Sequence, residues 1–134
     1  MSAADIDVVA RTVWAEARNQ GPVGMQAVAN VIANRVKHPR WWGKGWAGVC
    51  QKRWQFSCWN PGDPNLELLL KVDRRSATFR LASLIAKRAI EGRLEDVTDR
   101  ADHYFNPKVA KPNWAKGLKP VKVIRDHAFY RLEL

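Results

Sequence analysis

The sequence predicts a small α+β domain, mainly helical, with a short antiparallel sheet in its C-terminal part. Three observations point there. Apolar residues recur at helical spacing in three long segments before Gly92. Aromatic and β-branched residues gather in two short stretches after residue 100. A length of 134 residues with 46% apolar content suits one compact core, so residues 1–134 are read as a single domain.

The elements follow in chain order. Ile6, Val9, Ala10, Val13 and Ala17 share one helical face, with Ser2 as N-cap and Gly21 as stop. Pro22 suits the first turn of a second helix, whose inner face is Met25, Val28, Ala29, Ile32 and Val36 and which ends at His38-Pro39. Residues 40–66 read as loop and hold five of the seven tryptophans, followed by a short helix over Leu66 to Val72. Ser76 caps a third long helix, with Phe79, Ala82, Ile85, Ala86, Ala89 and Ile90 inward and Gly92 at its end. Residues 101–106 and 121–132 read as strands, an antiparallel pair joined by the Pro/Lys-rich stretch 107–120.

Formal net charge is +10, from 23 Lys and Arg against 13 Asp and Glu. Such a bias favours polyanions: nucleic acid, anionic lipid or an acidic cell envelope. The basic residues are scattered along the chain, which argues against a dedicated nucleic-acid groove. Trp41-Trp42 with Lys37, Arg40, Lys44, Lys52 and Arg53 is the one stretch suited to stacking on bases, and it suits glycans in an anionic wall equally. No segment has the length and hydrophobicity of a membrane span, so stable membrane insertion is not expected. Met1 to Asp7 lacks the basic start and apolar run of a secretory signal, which predicts a cytosolic protein that another agent must release. Cys50 and Cys58 are close enough for a small-loop disulfide in an oxidising space; the alternative is two reduced, semi-buried thiols.

Glu16 is the residue with the most chemistry in it. On the first helix, Ile6, Val9, Val13 and Glu16 fall at i, i+3, i+7 and i+10, so Glu16 lies at the rim of the buried face. It also lies in the last turn, where free carbonyls concentrate negative potential. Both effects penalise the ionised carboxylate and favour a retained proton. A carboxylic acid in that state can donate to a glycosidic oxygen. Arg11 and Arg18 act in the opposite sense, and a surface Glu paired with a nearby Arg is the competing reading.

The segment Arg11-Thr12-Val13-Trp14-Ala15-Glu16-Ala17-Arg18-Asn19-Gln20-Gly21, running on into Gly24 to Val36, resembles the opening of SleB-type cell-wall hydrolases, the spore-cortex-lytic enzymes and their phage relatives. Gln55-Phe56-Ser57-Cys58-Trp59 is similar to the family's Q-F-S element, and Gly92, Asp96 and Thr98 to its helix end and D-x-T turn. Ala101-Asp102-His103-Tyr104-Phe105-Asn106 resembles its A-T-H-[FY]-[YF]-N strand. Trp114 fits its P-x-W element, and Ile124 to Tyr130 is similar to I-G-N-H-x-F-Y. The likeness spans residues 9–131.

The resemblance implies a lysozyme-like catalytic domain that cuts the glycan of peptidoglycan, with Glu16 as acid/base. It implies a lytic transglycosylase acting between N-acetylmuramic acid and N-acetylglucosamine, which needs one acid and consumes no water. Hydrolysis, by contrast, ordinarily uses two carboxylates. The sequence departs from the pattern at Asp99 and Arg100, where glycines are usual, at Asp102 in place of Thr, and at Arg125-Asp126 in place of Gly-Asn. Asp99, Asp102 and Asp126 are thus second-carboxylate candidates for a hydrolytic muramidase. The competing expectation pairs Arg100 with Asp102 and Arg125 with Asp126 on the surface.

A glycan is gripped by hydrogen bonds to its hydroxyl and N-acetyl groups and by aromatic faces against its rings. Gln55 and Ser57 suit the first task and Trp54 or Trp59 the second, while Phe56 is expected in the core. The family strand would place Tyr104 and Asn106 near the cleft, with alternation grouping Asp102, Tyr104 and Asn106 against His103 and Phe105. His103 and His127 match no zinc spacing and read as hydrogen-bonded structural residues, so neither metal nor cofactor is expected. The combined expectation is a monomeric endolysin, a catalytic domain without a wall-binding module. It would be made in the host bacterial cytoplasm, released to the wall by a holin, and drawn to peptidoglycan strands by its charge. The alternatives are an N-acetylmuramoyl-L-alanine amidase and, in a different class, a basic nucleic-acid-binding module.

Overall fold

The computed structural model describes residues 2–134. Helix α1 runs Ala3–Ala17, with the Ser2 side chain accepting from the Asp5 N–H as N-cap. It is buried through Val9, Ala10, Thr12, Val13, Trp14, Ala15 and Ala17. Its C-terminal half, from Val9 onward, is buried on most sides and so lies in the middle of the domain, while its first turns stay at the surface. The other helices pack around it: α2 (Gly21–Lys37), α3 (Gly45–Cys50), α4 (Pro64–Lys71) and α5 (Ala77–Ile90). Each fully buried Val on α1 contributes about 1.5–3 kcal/mol relative to exposure. Gly21, at φ +73°, turns the chain between α1 and α2 in a conformation other residues resist.

Three strands complete the fold: β1 (His103–Phe105), β2 (Lys122–Ile124) and β3 (His127–Tyr130), in the order β1-β3-β2 and antiparallel throughout. Pairing of β1 with β3 is the predicted antiparallel pair. The strand predicted over 121–132 is instead a hairpin, because Arg125 takes a left-handed φ of 54° and the Asp126 N–H donates to Gln20 Oε1 at 3.0 Å. Ala27, Val31, Ala101 and Phe129 form a small second core joining α2 to the sheet.

Within the stretch read as loop, α3 was not foreseen; six residues are too few to show a period. It buries Val49 and Cys50. The buried Asn30 and Asn34 of α2 are clamps. Asn30 donates to Glu95 O and accepts from the Val97 N–H, and Asn34 donates to Asp96 Oδ2 and Ala101 O. Asp96 in turn accepts from the N–H and the hydroxyl of Thr98 at 2.7 Å each, closing the predicted D-x-T turn. This loop delivers the chain to β1 along one edge of α2.

Candidate active site

The end of α1, the start of α2, the segment after α3 and strand β1 enclose a groove of about 460 Å³. Glu16 lines it, and among the described residues no other carboxylate does. Its placement is dictated by the wheel: Val9 and Val13 fix one side of α1 in the core, so the residue at the rim faces the opening. The residue is half-buried. Burial pushes its carboxyl above the ordinary value of 4.5, against the hydrogen bonds from Tyr104 and Cys58, and the charge of Asp63 adds to the rise.

Neither arginine neutralises it. Arg11 is committed to Asp7 at 2.9 Å and to the carbonyls of Leu69 and Val72. Arg18 donates to Ala15 O at the end of α1 and to Asn65 Oδ1, and lies over the Trp14 ring at 4.5 Å. The surface ion-pair reading of Glu16 therefore fails.

Tyr104, on β1, donates its hydroxyl to Glu16 Oε1 at 2.5 Å. With Oε1 held as an acceptor, Oε2 is the oxygen left to carry and deliver a proton. Burial, then the neighbouring Glu16 charge, pushes the phenol well above its usual range, so Tyr104 stays a donor. Arg35, buried on α2, donates to Asp102 O at 2.8 Å and to Gln55 Oε1 at 3.4 Å. Burial lowers its pKa against the attraction of Tyr104 and Asp102, and the guanidinium still supplies positive potential to the groove wall.

Of the predicted binding residues, Gln55, Ser57, Tyr104 and Asn106 line the groove. Phe56 is core, as expected. Trp59 is not a stacking platform: its indole N–H donates to Thr12 Oγ1 at 2.9 Å, which fixes it against the core. Trp54 is 70% exposed and outside the groove lining. Trp42 is fully buried, which breaks the Trp41-Trp42 stacking surface. Phe105 also lines the groove, although strict alternation predicted it on the other face; β1 ends there, so the alternation does not persist.

The second-carboxylate candidates all lie elsewhere. Asp102 is fully buried and accepts from the N–H groups of Leu132, Glu133 and Leu134 and from His103. Burial alone would raise its carboxyl, but the bonds from His103 and the backbone outweigh this and hold it at about 2. Asp126 bonds Lys108 and Gln20, and Asp99 lies 3.8 Å from Arg131. The predicted pairs Arg100–Asp102 and Arg125–Asp126 do not form.

His103 is the structural residue foreseen, packed against Trp41 and Trp114. His127 lines the groove beside Tyr104; burial lowers its pKa against the pull of Asp126, and its buried Nδ1 has no hydrogen-bond partner. Cys50 and Cys58 are both buried and free, so the candidate disulfide is not formed. Arg35, Gln20 and Asn65 were missed as site residues. Arg35 alone left a signal, a charge within a helix whose neighbours are apolar.

The model of the Cell Wall Hydrolase family matches residues 19–130, beginning just after Glu16. Spore cortex-lytic enzymes of Halalkalibacterium halodurans and Bacillus subtilis are each 32% identical over 125 residues, 93% of this chain. The chain spans only 34% and 37% of their respective lengths. Among solved structures, the catalytic domain of the germination-specific lytic transglycosylase SleB from Bacillus anthracis superposes with a TM-score of 0.75 at 28% identity, covering 98% of this chain and 97% of that one. The catalytic domain of Bacillus cereus SleB gives 0.76 at 28% identity, covering 97% and 91%. The fold, the groove and these likenesses agree: the chain belongs to the cell wall hydrolase family.

Proposed function

We propose that this domain cleaves peptidoglycan as a lytic transglycosylase, between N-acetylmuramic acid and N-acetylglucosamine, with Glu16 as both acid and base. One observation carries the reading: the groove holds a single carboxylate, half-buried, unpaired by any arginine and bonded by a tyrosine hydroxyl. Glu16 gives its proton to the departing N-acetylglucosamine O4 as the C1–O4 bond breaks. Its carboxylate then takes the proton of the muramyl C6 hydroxyl, and O6 bonds C1. The acid is restored and no water is consumed, so one carboxylate suffices. Tyr104 stabilises the carboxylate formed midway through a short hydrogen bond. Gln55, Ser57 and Asn106 offer donors and acceptors to hydroxyl and N-acetyl groups along the groove. The SleB catalytic domains, described as a lytic transglycosylase in Bacillus anthracis, support the assignment.

Mass analysis of fragments released from purified walls tests it. Anhydro-muramyl ends are expected; reducing muramyl ends would instead mean hydrolysis, and free stem peptides an amidase. An endolysin role belongs to the same proposal, supported by the +10 charge, which draws the domain to anionic envelope polymers. Bacteria expressing the chain should lyse when a holin is co-expressed and stay intact without one.

A further inference from the structure

A second concavity, about 420 Å³, adjoins the catalytic groove. Phe105 is common to both, one residue beyond the Tyr104 that bonds Glu16. Its lining is mostly apolar, from Phe105, Pro107, Pro112 and Ala115, with Asn113 and two exposed lysines, Lys111 and Lys116, as its polar members. Among the described residues neither lysine has a carboxylate partner, whereas nearby Lys108 is held by Asp126 at 3.0 Å. The segment is braced from behind: Trp114 packs edge-on against Phe105 and Tyr130 at 5.5 and 5.2 Å.

We propose that this concavity receives the peptide stem of peptidoglycan, a short chain of small apolar and carboxylate-bearing residues carried by the muramic acid whose bond is cut. The inference rests on the glycan-cleaving reading above. Three matches support it. The stem leaves C3 of the very sugar whose C1 is attacked, so a stem site must touch the catalytic groove, as this one does at Phe105. Stem alanines present methyl groups, which suit a Pro/Phe/Ala floor. Stem carboxylates need cations, and Lys111 and Lys116 are the unpaired ones there. A groove built for more sugar would carry several polar partners for hydroxyls, as the catalytic groove does with Gln55, Ser57 and Asn106, where this concavity has Asn113 alone beside its lysines.

The test compares walls with intact stems against the same walls stripped of stems by an amidase. Wild type, the double variant Lys111→Glu/Lys116→Glu and a charge-matched control, Lys87→Glu/Arg88→Glu at two exposed positions of α5, are assayed on both. The stem-site variant should cleave intact walls about tenfold more slowly, the yield of two screened charge pairs turned repulsive. Stripped walls should be cleaved alike by all three proteins. An equal loss on both substrates, or the same loss in the α5 control, would overturn the assignment in favour of a glycan site or general charge attraction. Sedimentation of the Glu16→Gln form with the two kinds of wall keeps the question separate from catalysis. Tighter binding to intact walls that depends on Lys111 and Lys116 upholds a stem site even where no bond is cut, and binding indifferent to stems refutes it.

Discussion

Glu16→Gln should raise stability while abolishing activity. Gln is close in shape and keeps an Oε1 to accept the Tyr104 hydroxyl, so packing is retained. The wild-type carboxyl has a folded-state pKa above its ordinary 4.5, because burial outweighs the bonds from Tyr104 and Cys58. The folded state therefore holds this proton more tightly than the unfolded chain does. Stability falls as pH rises past about 4.5, and the full cost is present once pH exceeds the folded pKa. That cost is about 1.4 kcal/mol for every tenfold by which the pocket weakens the acid. Gln carries none of it. Urea unfolding at pH 4 and pH 8 should give near-equal stabilities at pH 4 and a more stable variant at pH 8. Lysis measured by turbidity should drop by a factor of about 10²–10⁴, the usual contribution of a positioned acid. A variant equally or less stable at pH 8, or one that still lyses cells, would refute the account of Glu16 as a buried working acid.

Tyr104→Phe removes the donor to Glu16 Oε1 and should lower kcat roughly ten- to a hundredfold, on the basis of ~1.5–3 kcal/mol for a bond to a charged group. With a lowering influence gone, the high-pH limb of its rate profile should move to higher pH. Asp102→Asn exchanges an acceptor-only group for one that cannot serve three backbone N–H groups and His103 together, and should cost about 2–4 kcal/mol in urea unfolding. Because the Asp102 carboxyl is held at about 2, its stabilisation is complete above about 3.8 and disappears as pH falls through 2, a loss the Asn variant should not show. Melting curves should be identical with and without reductant, and both thiols should react with a thiol reagent only on unfolding, since Cys50 is pushed up to about 12 and Cys58 higher still.

The sequence alone determined the helical frame and the position of the acid. Apolar spacing, the Ser2 and Ser76 caps and the Gly21-Pro22 junction are local signals, and local signals are written in adjacent residues. The rim position of Glu16 followed from the same period. Tertiary structure decided everything that depends on residues far apart in the chain. Whether Arg11 and Arg18 would neutralise Glu16 turned on Leu69, Val72 and Asn65, more than forty positions away. Trp59 and Trp42 read as surface aromatics until Thr12 and the backbone carbonyls of Arg35 and His38 claimed their N–H groups. Asp102 looked like a surface charge and proved to be the buried acceptor for the C-terminal tail. A one-dimensional pattern records which face a side chain takes; which partner meets it there is fixed only when distant segments pack together.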